Sequence, residues 1–274
     1  MSDYIVFKFR AINKNLLASL VNKEFYFAEP RCLNDPFDCR VDVLRALDNA
    51  ILKSSSPSRK TLTKLRGMQE FFEKVQADTA KVGVCSFSLE LNNPLLWSHY
   101  ANEHRGVCLM YRFPEKYFYD TQDRILGIDQ VHYDTSPLTD WFVARAPKLG
   151  SFDDFWTDLI TKILTIKSEP WKYEQEIRIL RRTPGLEPIA TKHLEQVCFG
   201  LETSEADVDL ITKILKQNQY DVTLCRMVRC NDSDFGLRVE EIYQKHGSGC
   251  LQPSASSNRT CWALGDLWRR ETTR

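Results

Sequence analysis

The sequence predicts a single α+β or α/β domain: a mixed sheet with helices around it, spanning residues 1–246. Three observations predict it. Short runs of strand composition recur from Tyr4 to Val228. Capped helical periodicities lie between those runs rather than in a block of their own. Residues 195–228 read as a compact strand–helix–strand piece. At 274 residues, 43% hydrophobic and 27% charged, the chain is long and apolar enough to bury a sizeable core.

Each element has its own warrant. Tyr4–Arg10 alternates as a half-buried strand, with Tyr4, Val6 and Lys8 on one side and Ile5, Phe7 and Phe9 on the other. Asn13 can cap a helix over Lys14–Asn22, and a strand over Glu24–Ala28 follows at once. Two prolines and an Asn-Asp pair make Pro30–Asp38 an ordered turn. Asp42–Leu52 and Thr61–Val82 read as helices joined by a flexible Ser54–Ser58 link, a peripheral helical insertion over about 40–82. Then come an apolar strand over Val82–Phe87, a capped helical turn over Asn93–His104 and a second strand over Gly106–Phe113. Tyr117–Thr135 is mixed, with a strand at Ile128–Tyr133. Ser151, with Asp154 three residues on, opens a core helix running to Ile166. Trp171–Leu180 reads as a strand, as do Glu195–Gly200 and Asp221–Val228, with a helix over Glu205–Asn218 between the last two. Residues 247–274 lose this rhythm and read as a disordered or non-native tail.

Composition narrows the function. Thirty-seven basic residues balance thirty-seven acidic ones, so nucleic acid is not indicated by any global field. No apolar run approaches the ~20 residues of a membrane span. The N-terminus lacks a signal core. An odd count of nine cysteines with no Cys-x-x-Cys pair argues against a disulfide framework and for a reducing cytoplasm. Glycine-rich phosphate loops are absent, which disfavours doubly wound dinucleotide binding and P-loop hydrolysis.

Chemistry-bearing side chains crowd into 83–113, where Ser86, Ser88, Trp97, Ser98, His99, Tyr100, His104 and Arg105 sit within one strand–helix–strand unit. A second concentration follows at 171–178. In the strand reading, Lys172, Glu174, Glu176 and Arg178 share a face, and carboxylates two apart lie within about 7 Å, close enough to perturb one another. The bland account is a solvated edge on which Glu176 and Arg178 neutralise each other. His99 and His104 are five apart, a poor spacing for a metal pair on one helix, so no metal is expected.

Taken together, the Phe7–Arg10 opening, Leu33-Asn-Asp-Pro-Phe-Asp-Cys39, Cys85-Ser-Phe-Ser88, Asn93–Ala101, His104–Cys108 and Trp171–Arg178 resemble a bacterial family, domain of unknown function 2971, from about residue 4 to about 240. More distantly, the arrangement resembles the split-sheet fold of the ADP-ribosyltransferases. That resemblance implies NAD as the substrate cofactor. It implies Lys8 or Arg10 on the first strand as the NAD grip, and Ser86 and Ser88 as the middle-strand motif. Trp97 and Tyr100 would be stacking surfaces, with His99 and Tyr173 beside them, and Glu174 and Glu176 the catalytic carboxylates. A fixed carboxylate would stabilise the oxocarbenium character that develops as the nicotinamide–ribose bond breaks. Ser-Phe-Ser in place of Ser-Thr-Ser, and a first-strand residue shared between Lys8 and Arg10, depart from the pattern.

The expectation is an NAD-using transferase or glycohydrolase, a bacterial effector, toxin or defence component acting on an acceptor the sequence does not name. Its site would be a cleft lined by residues 86–104 and 171–178. Two rivals remain open. One is a non-catalytic sensor module binding a nucleotide or peptide. The other is a metal-dependent nuclease using Asp35, Asp38, His99 and the glutamates.

Overall fold

The structure is a computed structural model in which residues 3–146, 152–230, 234–244 and 252–253 are described. The elements run β1 (Asp3–Arg10), α1 (Lys14–Asn22), β2 (Glu24–Phe27), α2 (Val43–Lys53), α3 (Ser56–Arg66), α4 (Gln69–Thr79) and β3 (Gly83–Ser88). Next come α5 (Pro94–Tyr100), β4 (Val107–Pro114), α6 (Glu115–Asp120), β5 (Ile125–Gln130), β6 (His132–Asp134), α7 (Pro137–Arg145) and α8 (Phe152–Leu164). The chain closes with β7 (Ile166–Ser168), β8 (Glu176–Arg181), β9 (Gly185–Pro188), β10 (Leu194–Phe199), α9 (Glu205–Gln217), β11 (Thr223–Arg229), β12 (Leu237–Gln244) and β13 (Gln252–Pro253). The fold is mixed α+β, with parallel and antiparallel pairings.

The chain divides into two compact units, each assembled from three separate segments. The first comprises Met1–Val6, Glu24–Glu90 and Phe113–Ile189. Within it β8 runs antiparallel to β3 on one side and to β5 on the other, so β8 is interior to its ladder. Glu176 to Leu180 are therefore buried on both faces. The helices α2, α3, α4, α7 and α8 enclose a core of their own around Leu47, Leu62, Phe71, Phe142 and Leu159. The second unit comprises Phe7–Lys23, Leu91–Arg112 and Ala190–Arg274. Its ladder runs from β4 through β10 and β11 to β12 and β13, with β10 and β11 parallel. The crossover between that parallel pair is α9, capped by Ser204, whose hydroxyl accepts from Asp207 N at 3.2 Å.

Several expectations need correction. Trp171–Leu180 is not one strand: Glu169–Glu174 forms a 3₁₀ turn, Gln175 takes a left-handed φ of 45°, and β8 starts only at Glu176. Ser54–Ser58 is not a free link, because α3 begins at Ser56 with Pro57 in its first turn, where a missing N–H costs nothing. The reading of one helix over Thr61–Val82 fails at Gly67-Met68, where α3 ends and α4 begins. The 128–133 strand divides into β5 and β6, and α6 and α7 have no counterpart in the sequence reading. Ser151, read as a helix cap, lies outside the described residues, as do 247–251 and 254–274 of the tail; Gln252–Pro253 pairs with β12.

Candidate functional site

The first unit holds a buried ionic cluster formed by five side chains from three places in the chain. Arg178 on β8 is fully buried, and its guanidinium has five N–H donors to place. Nε donates to Glu176 Oε1 at 2.7 Å and Nη2 to Glu176 Oε2 at 3.0 Å. Nη2 also donates to Asp38 Oδ2 at 2.7 Å, while Nη1 reaches Leu164 O at 2.7 Å and Cys39 Sγ at 3.0 Å. Five donors therefore meet five acceptors. Lys167, on β7, places its ammonium 2.5 Å from Glu174, 3.1 Å from Glu176 and 3.5 Å from Asp38. The Trp171 ring lies 5.0 Å from that ammonium.

Local sequence explains the convergence. Asp35 accepts from Phe37 N through its carboxylate, and its carbonyl accepts from Asp38 N, which closes the Asn34–Asp38 turn and aims Asp38 inward. The left-handed Gln175 reverses the chain between the glutamates, so both carboxylates reach Lys167 although only Glu176 lies in the strand. Tyr133 accepts from Glu176 N at 2.8 Å, and Ser88 donates to Glu174 O at 2.6 Å.

The electrostatics follow from burial and pairing. Burial alone would raise Glu176, but Arg178, by charge and hydrogen bond, together with Lys167 and a hydrogen bond from Ser86, bring it down to about 2. Burial alone would depress Lys167 as well; Glu176, Glu174 and Asp38 outweigh it and raise Lys167. Arg178 likewise stays charged against its burial because Glu176, Cys39 and Asp38 surround it. Burial pushes the Cys39 thiol up to about 12, so it is an inert neutral donor or acceptor here. Three carboxylates against two cations leave one formal negative charge in the interior.

The sequence-predicted residues separate between the units. Ser86, Ser88, Glu174 and Glu176 meet at this cluster, with Tyr173, half-buried, on the adjoining turn. The face carrying Glu176 and Arg178 is buried rather than solvated. Lys172 is exposed and outside the cluster. Lys8, Arg10, Trp97, His99 and Tyr100 belong to the second unit. There Trp97 is fully buried, donates Nε1 to Leu91 O at 2.7 Å, and meets Phe9 edge-on at 5.1 Å, so its ring is committed to the core. His99 is exposed, and Lys8, Arg10 and Tyr100 are half-buried. Sequence reading missed the parts of Lys167 and Cys39 and the inward role of Asp38, whose one early signal was the Asn-Asp-Pro-Phe-Asp turn. Among the described residues, no group of three or more His, Cys, Asp or Glu is placed to hold a metal ion. None of the described helices is long and apolar enough to cross a membrane.

Residues 96–179 match the family model described as protein of unknown function, DUF2971. The DUF2971 resemblance carried by the motifs is shown on this segment. The matched span includes Lys167, Glu174, Glu176 and Arg178 of the cluster, and ends one residue beyond Arg178. No curated protein and no solved structure matches the chain.

Proposed function

We propose that the protein is an ADP-ribosyltransferase-like enzyme that uses NAD, as transferase or glycohydrolase, with Glu176 as the carboxylate that answers positive charge developing on the ribose. The hydrogen bond from Ser86 to Glu176 carries this reading, because it joins the two motifs that the ADP-ribosyltransferase resemblance assigns to the NAD site, from segments ninety residues apart. The surplus negative charge supports it too: as the nicotinamide–ribose bond breaks, positive charge moves from the nicotinamide ring onto the ribose, and a fixed carboxylate beside the ribose favours that shift. Glu174, on the same ammonium, would orient the acceptor or accept its proton.

One observation favours a second reading, a non-catalytic nucleotide- or peptide-binding module. Both oxygens of Glu176 are already taken, one by Arg178 and the other by Arg178 and Lys167. In that case the cluster is a clasp that fixes the Asn34–Asp38 turn against β7 and β8.

Incubation of the pure protein with NAD separates the two. The enzyme reading expects nicotinamide release that is lost in a Glu174→Gln, Glu176→Gln double variant verified to be folded. Release unchanged in the double variant overturns the assignment; calorimetric NAD binding without any release favours the module.

A further inference from the structure

The second unit contains an unusual backbone turn. After α5 the chain enters three consecutive residues with left-handed φ, Asn102 at 48°, Glu103 at 55° and His104 at 66°, with no glycine among them. For residues with a Cβ this conformation costs on the order of 1–2 kcal/mol each, with Asn the most tolerant, and it normally occurs singly. Here it is enforced from all sides. Glu103 N donates to Ser98 O at 3.2 Å, His104 N to Trp97 O at 3.1 Å, and Gly106 N to Ala101 O at 2.7 Å. Glu202 N donates to His104 O at 3.0 Å, and Gly200 packs so closely that a Cβ there would stand 2.0 Å from that oxygen.

What the turn achieves is the position of one imidazole. His104 lies parallel to Trp97, 16° between planes and 6.4 Å between centroids, and its Nε2 stands 3.1 Å from Ser98 Oγ. Ser98 is exposed on α5, and its hydroxyl also lies 2.9 Å from Pro94 O, so its proton can point to either neighbour. Burial lowers the His104 pKa against the opposing effects of Glu202 and of a hydrogen bond to the Pro94 backbone, and the ring is therefore neutral and able to accept a proton near pH 7. Its Nδ1 has no hydrogen-bond partner among the described residues, so the backbone turn and Trp97, rather than a carboxylate, hold the ring in place. Strain maintained at a solvent-facing polar pair points to use of that pair.

We propose that Ser98 and His104 form a nucleophile–base pair that accepts acyl groups from activated carboxylic esters. Ser98 Oγ attacks the carbonyl carbon, its proton passes to His104 Nε2, the bond from carbon to the leaving alkoxide or phenoxide oxygen breaks, and the serine is left as an ester. This activity is independent of Glu176 and belongs to the other unit.

The test uses the full chain with 4-nitrophenyl acetate, following 4-nitrophenolate at early times and mapping acetylated peptides by mass spectrometry. The expected result is acetylation of Ser98 well above that of other exposed serines. It should be absent in Ser98→Ala and slowed about a hundredfold in His104→Asn, the loss typical of a removed general base. Asparagine tolerates left-handed φ, so His104→Asn keeps the turn, and matched thermal midpoints confirm folding. Labelling of the native chain should fall as pH drops through the His104 ionisation. Absence of acetyl on Ser98, a rate unchanged in folded His104→Asn, or a pH profile without that step overturns the proposal.

Discussion

At the scale of single residues, Arg178 decides the cluster. Its five matched donors are the reason a buried guanidinium is tolerated at all, since an unmatched one would forfeit its hydration without return. Arg178→Met should therefore cost about 3–5 kcal/mol in urea unfolding, because Glu176 and Asp38 stay buried with most of their partners gone. Glu176 gives a pH signature whose sign follows from its depressed pKa. Its stabilisation is complete above the ordinary carboxylate value of 4.5 and is lost as pH falls toward its folded value of about 2. The urea midpoint of the wild type should accordingly drop between those values, and Glu176→Gln should flatten that part of the curve. The glutamates, Ser86 and Ser88 were legible from sequence as residue types in strand-like motifs. Lys167 and Cys39 were not, because a three-residue strand and a turn carry no periodicity to mark which way a side chain points.

At the scale of elements, strands and caps were the legible part. The Asn13 cap, with its side chain accepting from Asn15 N and Leu16 N, starts α1 where the sequence places it, and the Ser204 cap does the same for α9. The 3₁₀ turn before β8 was illegible because Glu-x-Glu alternation looks the same in an extended strand; only the left-handed Gln175 breaks it, and glutamine does not announce that conformation. The Asn102–His104 turn was hidden for the same reason. Its strain is measurable. Glu103→Gly should raise stability by about 0.5–1 kcal/mol, the left-handed cost removed less the greater entropy of an unfolded glycine. Gly200→Ala should lower it by about 1–3 kcal/mol or more, because the new methyl meets His104 O at 2.0 Å and that oxygen belongs to a bonded backbone. Thermal and urea melts of both variants check the pair.

At the scale of the whole molecule, each unit is built from non-contiguous segments, so no single cut in the chain isolates either. A chain ending at Ile189 keeps Phe7–Lys23 and Leu91–Arg112 but loses β10, β11, β12 and α9, and with them one of the two strands that pair β4. Circular dichroism of that truncation should show β4 and the α5 turn unable to form a cooperative structure. Sequence reading registered the mixed α+β character because it needs only the alternation of periods, whereas the interleaving of units depends on long-range pairing that local patterns do not encode. The proposed NAD chemistry requires Ser86 on β3 and Glu176 on β8, which are hydrogen-bonded, to act together. The most direct measurement is nicotinamide release from NAD by the wild type, Ser86→Ala and Glu176→Gln, each verified as folded at the assay temperature. Release by the wild type is expected, with a loss of about 10²-fold or more in Glu176→Gln and a smaller loss in Ser86→Ala; equal rates in all three, or no release from any, would rule the proposed chemistry out.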